Sequence, residues 1–459
     1  MTTKTLSQHI ATVAQDGQKI PDDVVSMLHR VTLDAYGLML SARNTDYINA
    51  LVQAKLDSGQ STAFGHGSGF TMQDAVLING TAVHGEDFDD TFEGTPVHIS
   101  AVIVPTILAI AEQTDLSKYR FVQAMAHGSE LICRLALVAP TAIHRQGFHP
   151  TAILGAFGAS LTASIAYGLT HKQTTSAFGI VGSMASGIIE YLAEGTWTKR
   201  MHPGWAAGAG LKSAAMAKAG FIGPSTVFEG VHGLFKAFAS DKIDQDFRHL
   251  KEFGEQWICK HIAFKPYACG TMTQPFVDCA IQAAEQLNVD DIKEVHALVG
   301  EGTVHRLWEP LEEKQNPSTP YSAKFSVPYC IALGILDRQA GLMGFTDKQL
   351  KRSDIHNLAS KISYSVNPSD PYPNEYVGWV DITTKDGKRH SFKQKCLRGG
   401  RQEPMSQQDL EVKFASNLKF ASFSDDSVKE ATQQISSLFQ ADSNIRQCIQ
   451  TLAQIGEKP

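Results

Sequence analysis

The sequence predicts a mostly α protein, a large all-helical domain into which a smaller α+β lid domain is inserted. Three features carry this: apolar residues at helical spacing through most of the first half, a change of texture after Trp257, and a return to helical spacing near the end. A chain of 459 residues exceeds the length over which one core keeps growing, so two domains are expected. Residues 1–262 plus 401–459 would form the helical domain and residues 263–400 the lid.

The periodic segments are 24–42, 74–84, 101–113, 121–138, 151–167 and 172–192, followed by an Ala- and Gly-rich stretch at 204–220 that Pro224 ends. Beyond Trp257, Pro266 makes 265–267 extended, while 295–299 and 376–384 read as strands. Asp386-Gly387 between 380–384 and 391–395 signals a hairpin, because glycine accepts the positive φ of the turn. Segments 408–415 and 428–439 are helical again and should pack back onto the first half. A cleft between the two domains is the default place for a small ligand.

Composition narrows the function. Hydrophobic residues at 43% and charged residues at 19% describe an ordinary globular chain. A net charge of -6 lacks the broad positive field that nucleic acid or an anionic membrane would need, so neither is expected as a partner. Seven scattered cysteines without a C-x-x-C pair read as reduced thiols, which favours a reducing compartment such as the cytoplasm. Residues 1–18 have neither a cationic start nor an apolar run, so secretion is not expected. The uncharged stretch 151–168 is too rich in Ala, Gly, Ser and Thr to gain much in lipid and suits a core helix instead.

Four clusters could carry chemistry. The first is His84-Gly85-Glu86-Asp87-Phe88-Asp89-Asp90-Thr91, followed by His98. It reads equally as a solvated acidic loop, and it lacks the ligand spacing of a calcium or zinc site, so no metal is expected. The second is Gly147-Phe148-His149-Pro150, where Pro150 suits a first helical turn and puts His149 at the N-cap. There the helix dipole lowers the ring's affinity for a proton. The third, Thr196-Trp197-Thr198-Lys199-Arg200-Met201-His202-Pro203-Gly204, concentrates positive charge in charge-poor surroundings and suggests an anion pocket or a solvated turn. The fourth is Phe264-Lys265-Pro266-Tyr267-Ala268-Cys269-Gly270, with 321–329 further on. No histidine stands near Cys269 or Cys279 in sequence to activate a thiol, and the glycine-rich 65–69 lacks a P-loop lysine and reads as a turn.

Taken in order with Ala323-Lys324-Phe325-Ser326-Val327-Pro328-Tyr329, these motifs resemble the MmgE/PrpD family over most of the chain. That family includes 2-methylcitrate dehydratase, cis-aconitate decarboxylase and iminodisuccinate epimerase. The resemblance implies a homodimer without metal or organic cofactor that acts on a small polycarboxylate. It implies a catalytic set of His98, His149, Lys199 and Asp87. Thr91, Arg200, His202, Lys265 and Tyr329 would bind substrate. Two positions depart from the family pattern: Glu86, where an apolar residue is usual, and Gly270, where His or Cys is common. The implied activity is a decarboxylase- or dehydratase-like lyase using general acid–base catalysis. An epimerase and a non-catalytic polycarboxylate-binding paralogue are the alternatives.

Overall fold

The computed structural model describes residues 4–240, 244–441 and 443–457. The chain is mostly α and divides into two compact units. The first comprises Met1–Gly85, Asp89–Ile262 and Asn417–Pro459; the second comprises Glu86–Phe88 and Ala263–Ser416.

At the centre of the first unit lies the helix Pro150–Ala166, every residue of which is buried. It packs against Lys118–Val138 and Thr198–Lys218, and the latter also lies along Met72–His84. Small residues permit these approaches. A Cβ on Gly158 would stand 2.3 Å from an Ile132 side-chain carbon, and one on Gly204 would stand 2.3 Å from the Leu77 carbonyl oxygen. Asp22–Ser41 and Ser100–Gln113 complete the surrounding layer. The C-terminal helices Asp425–Ser437 and Ile445–Glu457 pack on these two, as the charged-face periodicity suggested. Among the described residues no helix is long and apolar enough to cross a membrane.

Two expectations need correction. The helix expected over 172–192 ends at Gly182, and 183–190 leaves helical form before the short turn Tyr191–Glu194. Tertiary hydrogen bonds win here: Phe148 and Ile188 form a β-bridge, the His149 amide donates to Gly187 O, and Gly187 adopts φ +139°. The helix expected from Gly204 instead starts at Thr198 and carries Pro203 inside it. Of the glycine-rich 65–69 read as a turn, 65–66 lie in the tip of a small hairpin between Ser61–Ala63 and Gly67–Phe70, and 67–69 belong to its second strand.

In the second unit the strand order is Ile362–Val366, Ile292–Val299, Gly378–Thr384, Arg389–Gln394. The first pair is parallel and the others antiparallel, and the last is the hairpin that turns at Asp386-Gly387, with Gly387 at φ +84°. Helix Gln274–Gln286 packs on this sheet and on helix Val327–Asp337.

A Gly→Ala change inside a helix ordinarily gains stability, about 1 kcal/mol. Gly204→Ala should instead lose ~1–3 kcal/mol through overpacking against Leu77. The midpoint of chemical denaturation checks this; a stabilised variant would show that the crossing of the two helices is looser than described.

Candidate active site

Helix ends leave backbone groups without intrahelical partners, so a buried helix end draws polar side chains to it. Four such ends in the first unit bring together the histidines of the sequence clusters. His84 closes the helix Met72–His84, and His149 is the N-cap of Pro150–Ala166, as Pro150 implied. His98 stands just before Ser100–Gln113, and His202 rides on the first turns of Thr198–Lys218. Ring centroids are 4.4 Å apart for His84 and His98, 5.6 Å for His84 and His149, and 5.3 Å for His149 and His202. All four residues are buried.

Two carboxylates organise this group. Asp90 accepts hydrogen bonds from the Ile99 and Ser100 amides and from the Ser100 hydroxyl, and so caps the helix that follows His98. Burial pushes Asp90 up to about 6. Asp89 has Oδ2 2.8 Å from His84 Nδ1 and 3.2 Å from His98 Nδ1. Burial alone would raise its pKa, yet the two flanking rings hold it well below the usual carboxylate range. Asp89 therefore stays ionised and accepts from both rings. Neither carboxylate was singled out by sequence reasoning, because their alternation along Asp87-Phe88-Asp89-Asp90 does not reveal which side chain turns inward.

The tautomers follow from these contacts. His98 Nδ1 also lies 2.8 Å from Asp90 O, so this nitrogen carries a proton and Nε2 is the outward atom. His149 Nδ1 and His202 Nδ1 are 3.1 Å apart, so one must donate and the other accept. Burial, reinforced by the neighbouring rings and the Lys199 charge, holds His149 well below its ordinary value. Burial first and Lys199 second bring His202 down to about 4, and burial brings His84 to about 4 against the opposing pull of Asp89. Loss of water thus holds His84, His149 and His202 toward the neutral form.

The remaining expected residues of this unit lie close by in the chain. Lys199 is half-buried, while Arg200 is buried with its guanidinium 4.4 Å from the Tyr47 ring centroid. Thr91 is buried and donates to Val97 O.

In the second unit three buried lysines grip the segment Glu86–Phe88. Lys265 Nζ donates to Asp87 O and Oδ1, both at 2.8 Å, with Asp87 in a left-handed conformation at φ +52°. Lys324 Nζ meets Glu86 Oε2 at 3.0 Å, and Lys413 Nζ donates to Phe88 O at 2.8 Å while lying over the Phe88 ring. The Glu86 departure from the family pattern thus has a partner. Gly270 leaves room that a Cβ would narrow to 3.1 Å from the Phe325 ring. Tyr329 is buried and its hydroxyl donates to Gly344 O at 2.9 Å. Among the cysteines, burial pushes Cys279 up to about 12, which removes it as a ready nucleophile.

Because His202 titrates near 6.5 when unfolded but near 4 when folded, the unfolded chain binds more protons between those values. Its contribution to stability therefore falls as pH drops through that window. His202→Gln should close the gap in melting temperature to the parent as pH falls from 6.5 towards 4; a pH-independent gap would rule out a neutral buried His202.

The family model for the MmgE/PrpD N-terminal domain matches residues 4–246, and that for the MmgE/PrpD C-terminal domain matches residues 267–438. Among curated proteins, the cis-aconitate decarboxylase of Homo sapiens is 27% identical over 437 residues, covering 91% of this chain and 88% of that protein. That of Mus musculus is 26% identical, covering 87% of this chain and 83% of its own length. A cis-aconitate decarboxylase of Aspergillus terreus is 24% identical over 75% of each chain. With both domain models matched in order along one chain, the protein belongs to the MmgE/PrpD family.

Proposed function

We propose that the chain is a lyase that breaks a bond beside a carboxylate of a small di- or tricarboxylic acid, with decarboxylation of cis-aconitate as the leading reaction. The observation that carries this reading is the buried set His84, His98, His149 and His202 around ionised Asp89, with Lys199 and Arg200 on the adjoining helix turn. Cis-aconitate is the acid named in the relatives that match most of the chain.

Loss of carbon dioxide leaves an electron pair on a carbon conjugated with a remaining carboxylate, and this charge is what the site must stabilise. Lys199 and Arg200 supply fixed positive charge for the carboxylates, and charge-assisted hydrogen bonds to them are short and strong away from water. Thr91 offers a hydroxyl for a substrate oxygen. The resulting allylic carbanion must then gain a proton at one of its two ends. His98 is suited to give it from Nε2, because the Asp89 carboxylate compensates the charge of the ring once protonated. His149, held neutral, is suited to accept a proton or to donate one hydrogen bond without adding charge. The products are carbon dioxide and an unsaturated dicarboxylate, with atoms and charge in balance.

Association as a homodimer is part of the same proposal. Ile188, Leu192, Trp197 and Trp205 are large apolar side chains left exposed in the segment beside His149, which suits burial against a second copy.

Proton NMR in deuterium oxide with cis-aconitate, 2-methylcitrate, citrate and iminodisuccinate tests the reaction. New vinyl signals and carbon dioxide from cis-aconitate are expected, with kcat reduced ~10²–10⁴-fold in His98→Gln and in His149→Gln. Unchanged turnover in both variants would remove the histidines from the mechanism; deuterium uptake without loss of mass would indicate epimerisation. An acid that raises the melting temperature while nothing reacts would indicate a binding protein. Sedimentation velocity is expected to give a dimer that Ile188→Asp with Trp205→Ser converts to monomer; a monomeric parent rejects the dimer.

A further inference from the structure

We propose that His84, His98 and His149 also form a binding site for a divalent transition-metal cation of the zinc class, and that the cation inhibits by occupying the rings that move protons. One nitrogen from each ring lies within 4.8 Å of the others. Three imidazoles around zinc at ~2.0–2.1 Å stand somewhat closer, so small ring movements complete the geometry.

The orientation of the rings supports this more strongly than their proximity. A metal-bound histidine holds its other nitrogen against a carboxylate, a backbone carbonyl or another polar group, which sets the tautomer. Here His84 Nδ1 is held by Asp89, His98 Nδ1 by Asp90 O, and His149 Nδ1 by His202. His84 and His98 thus have Nε2 left as the available ligand atom, and His149 has it when its Nδ1 donates to His202. His84 Nε2 is buried with no hydrogen-bond partner among the described residues, an arrangement that costs free energy unless something else satisfies the nitrogen. Asp89 adds a buried negative charge beside the rings, with Oδ1 also lacking a partner. Three ligands leave a fourth position open to water or to a substrate carboxylate. The nearby positive charge of Lys199 opposes the cation, so affinity should fall short of a structural zinc site. No local spacing announces this site, since its ligands come from three separate helix ends.

The inference goes beyond the proposed reaction and is tested without it. Cobalt(II) is titrated into the untagged, metal-free chain in the absence of substrate, followed by visible absorption, with zinc binding measured by calorimetry. One equivalent of cobalt should give the intense bands of a four-coordinate site. His84→Gln, His98→Gln and His149→Gln should each weaken binding more than tenfold while far-ultraviolet circular dichroism stays that of the parent. Asp89→Asn should weaken it by ~10–100-fold. Absent bands, or affinity that survives in all three histidine variants, would overturn the site. A chain that binds cobalt but, when metal-free, leaves cis-aconitate intact keeps this inference and defeats the proposed reaction; a metal-free chain that turns cis-aconitate over but binds no cobalt defeats the metal site alone.

Discussion

Burial of a complete helix imposes a constraint that shapes the whole first unit. Pro150–Ala166 satisfies its backbone internally along its length, but its ends cannot, and its N-terminal end at His149 is buried. Residues without bulk let its neighbours close around the middle, as Gly158 does toward Ile132. The titratable side chain of this helix, His149, stands at its N-terminal end, while hydroxyls in its middle find partners, Ser160 accepting from Ser213 and Thr162 donating to Ala124 O. The same pressure acts at Ser100–Gln113, where Asp90 takes up the Ile99 and Ser100 amides. A site made of helix ends is therefore the place where this fold can afford buried polarity.

Electrostatics then decides what the buried rings are. A carboxylate without water is costly unless it is paired, and Asp89 meets that cost by accepting from His84 and His98. Among the described residues, His149 and His202 have no carboxylate of this kind beside them. Dehydration and the Lys199 charge act on His149 and His202 in the same direction, toward the neutral form. An ionised acid beside His84 and His98, with His149 and His202 held toward the neutral form, gives a group with directed lone pairs and N–H bonds. That is useful for relaying a proton, and it is equally a set of ligands for a cation.

The second unit shows a different solution. Three buried ammonium groups meet three consecutive residues, and all three donate to backbone carbonyls, Lys265 and Lys324 also pairing with carboxylates. Lysine is expensive to bury, and each of these finds a carboxylate, a carbonyl or a ring face. Glu86 belongs to this set through Lys324, so a residue that looks anomalous beside its family is consistent with its own surroundings.

The sequence by itself determined the elements whose cause is local. Apolar spacing marked the long helices, Asp386-Gly387 marked the hairpin, and Pro150 marked His149 as an N-cap, because each rests on backbone preferences within a few residues. Composition identified the buried uncharged helix, and the ordered motifs pointed to the family. Tertiary structure alone decided the rest. The helix expected over 172–192 stops at Gly182 because residues 187 and 188 bond to 149 and 148, partners that no local pattern contains. In the same way, Asp89 rather than a neighbouring carboxylate bridges two histidines through the direction of one side chain. His84 and His202 join His98 and His149 only when four helix ends meet. Periodicity records which face of an element avoids water; it carries no information about which distant element arrives there.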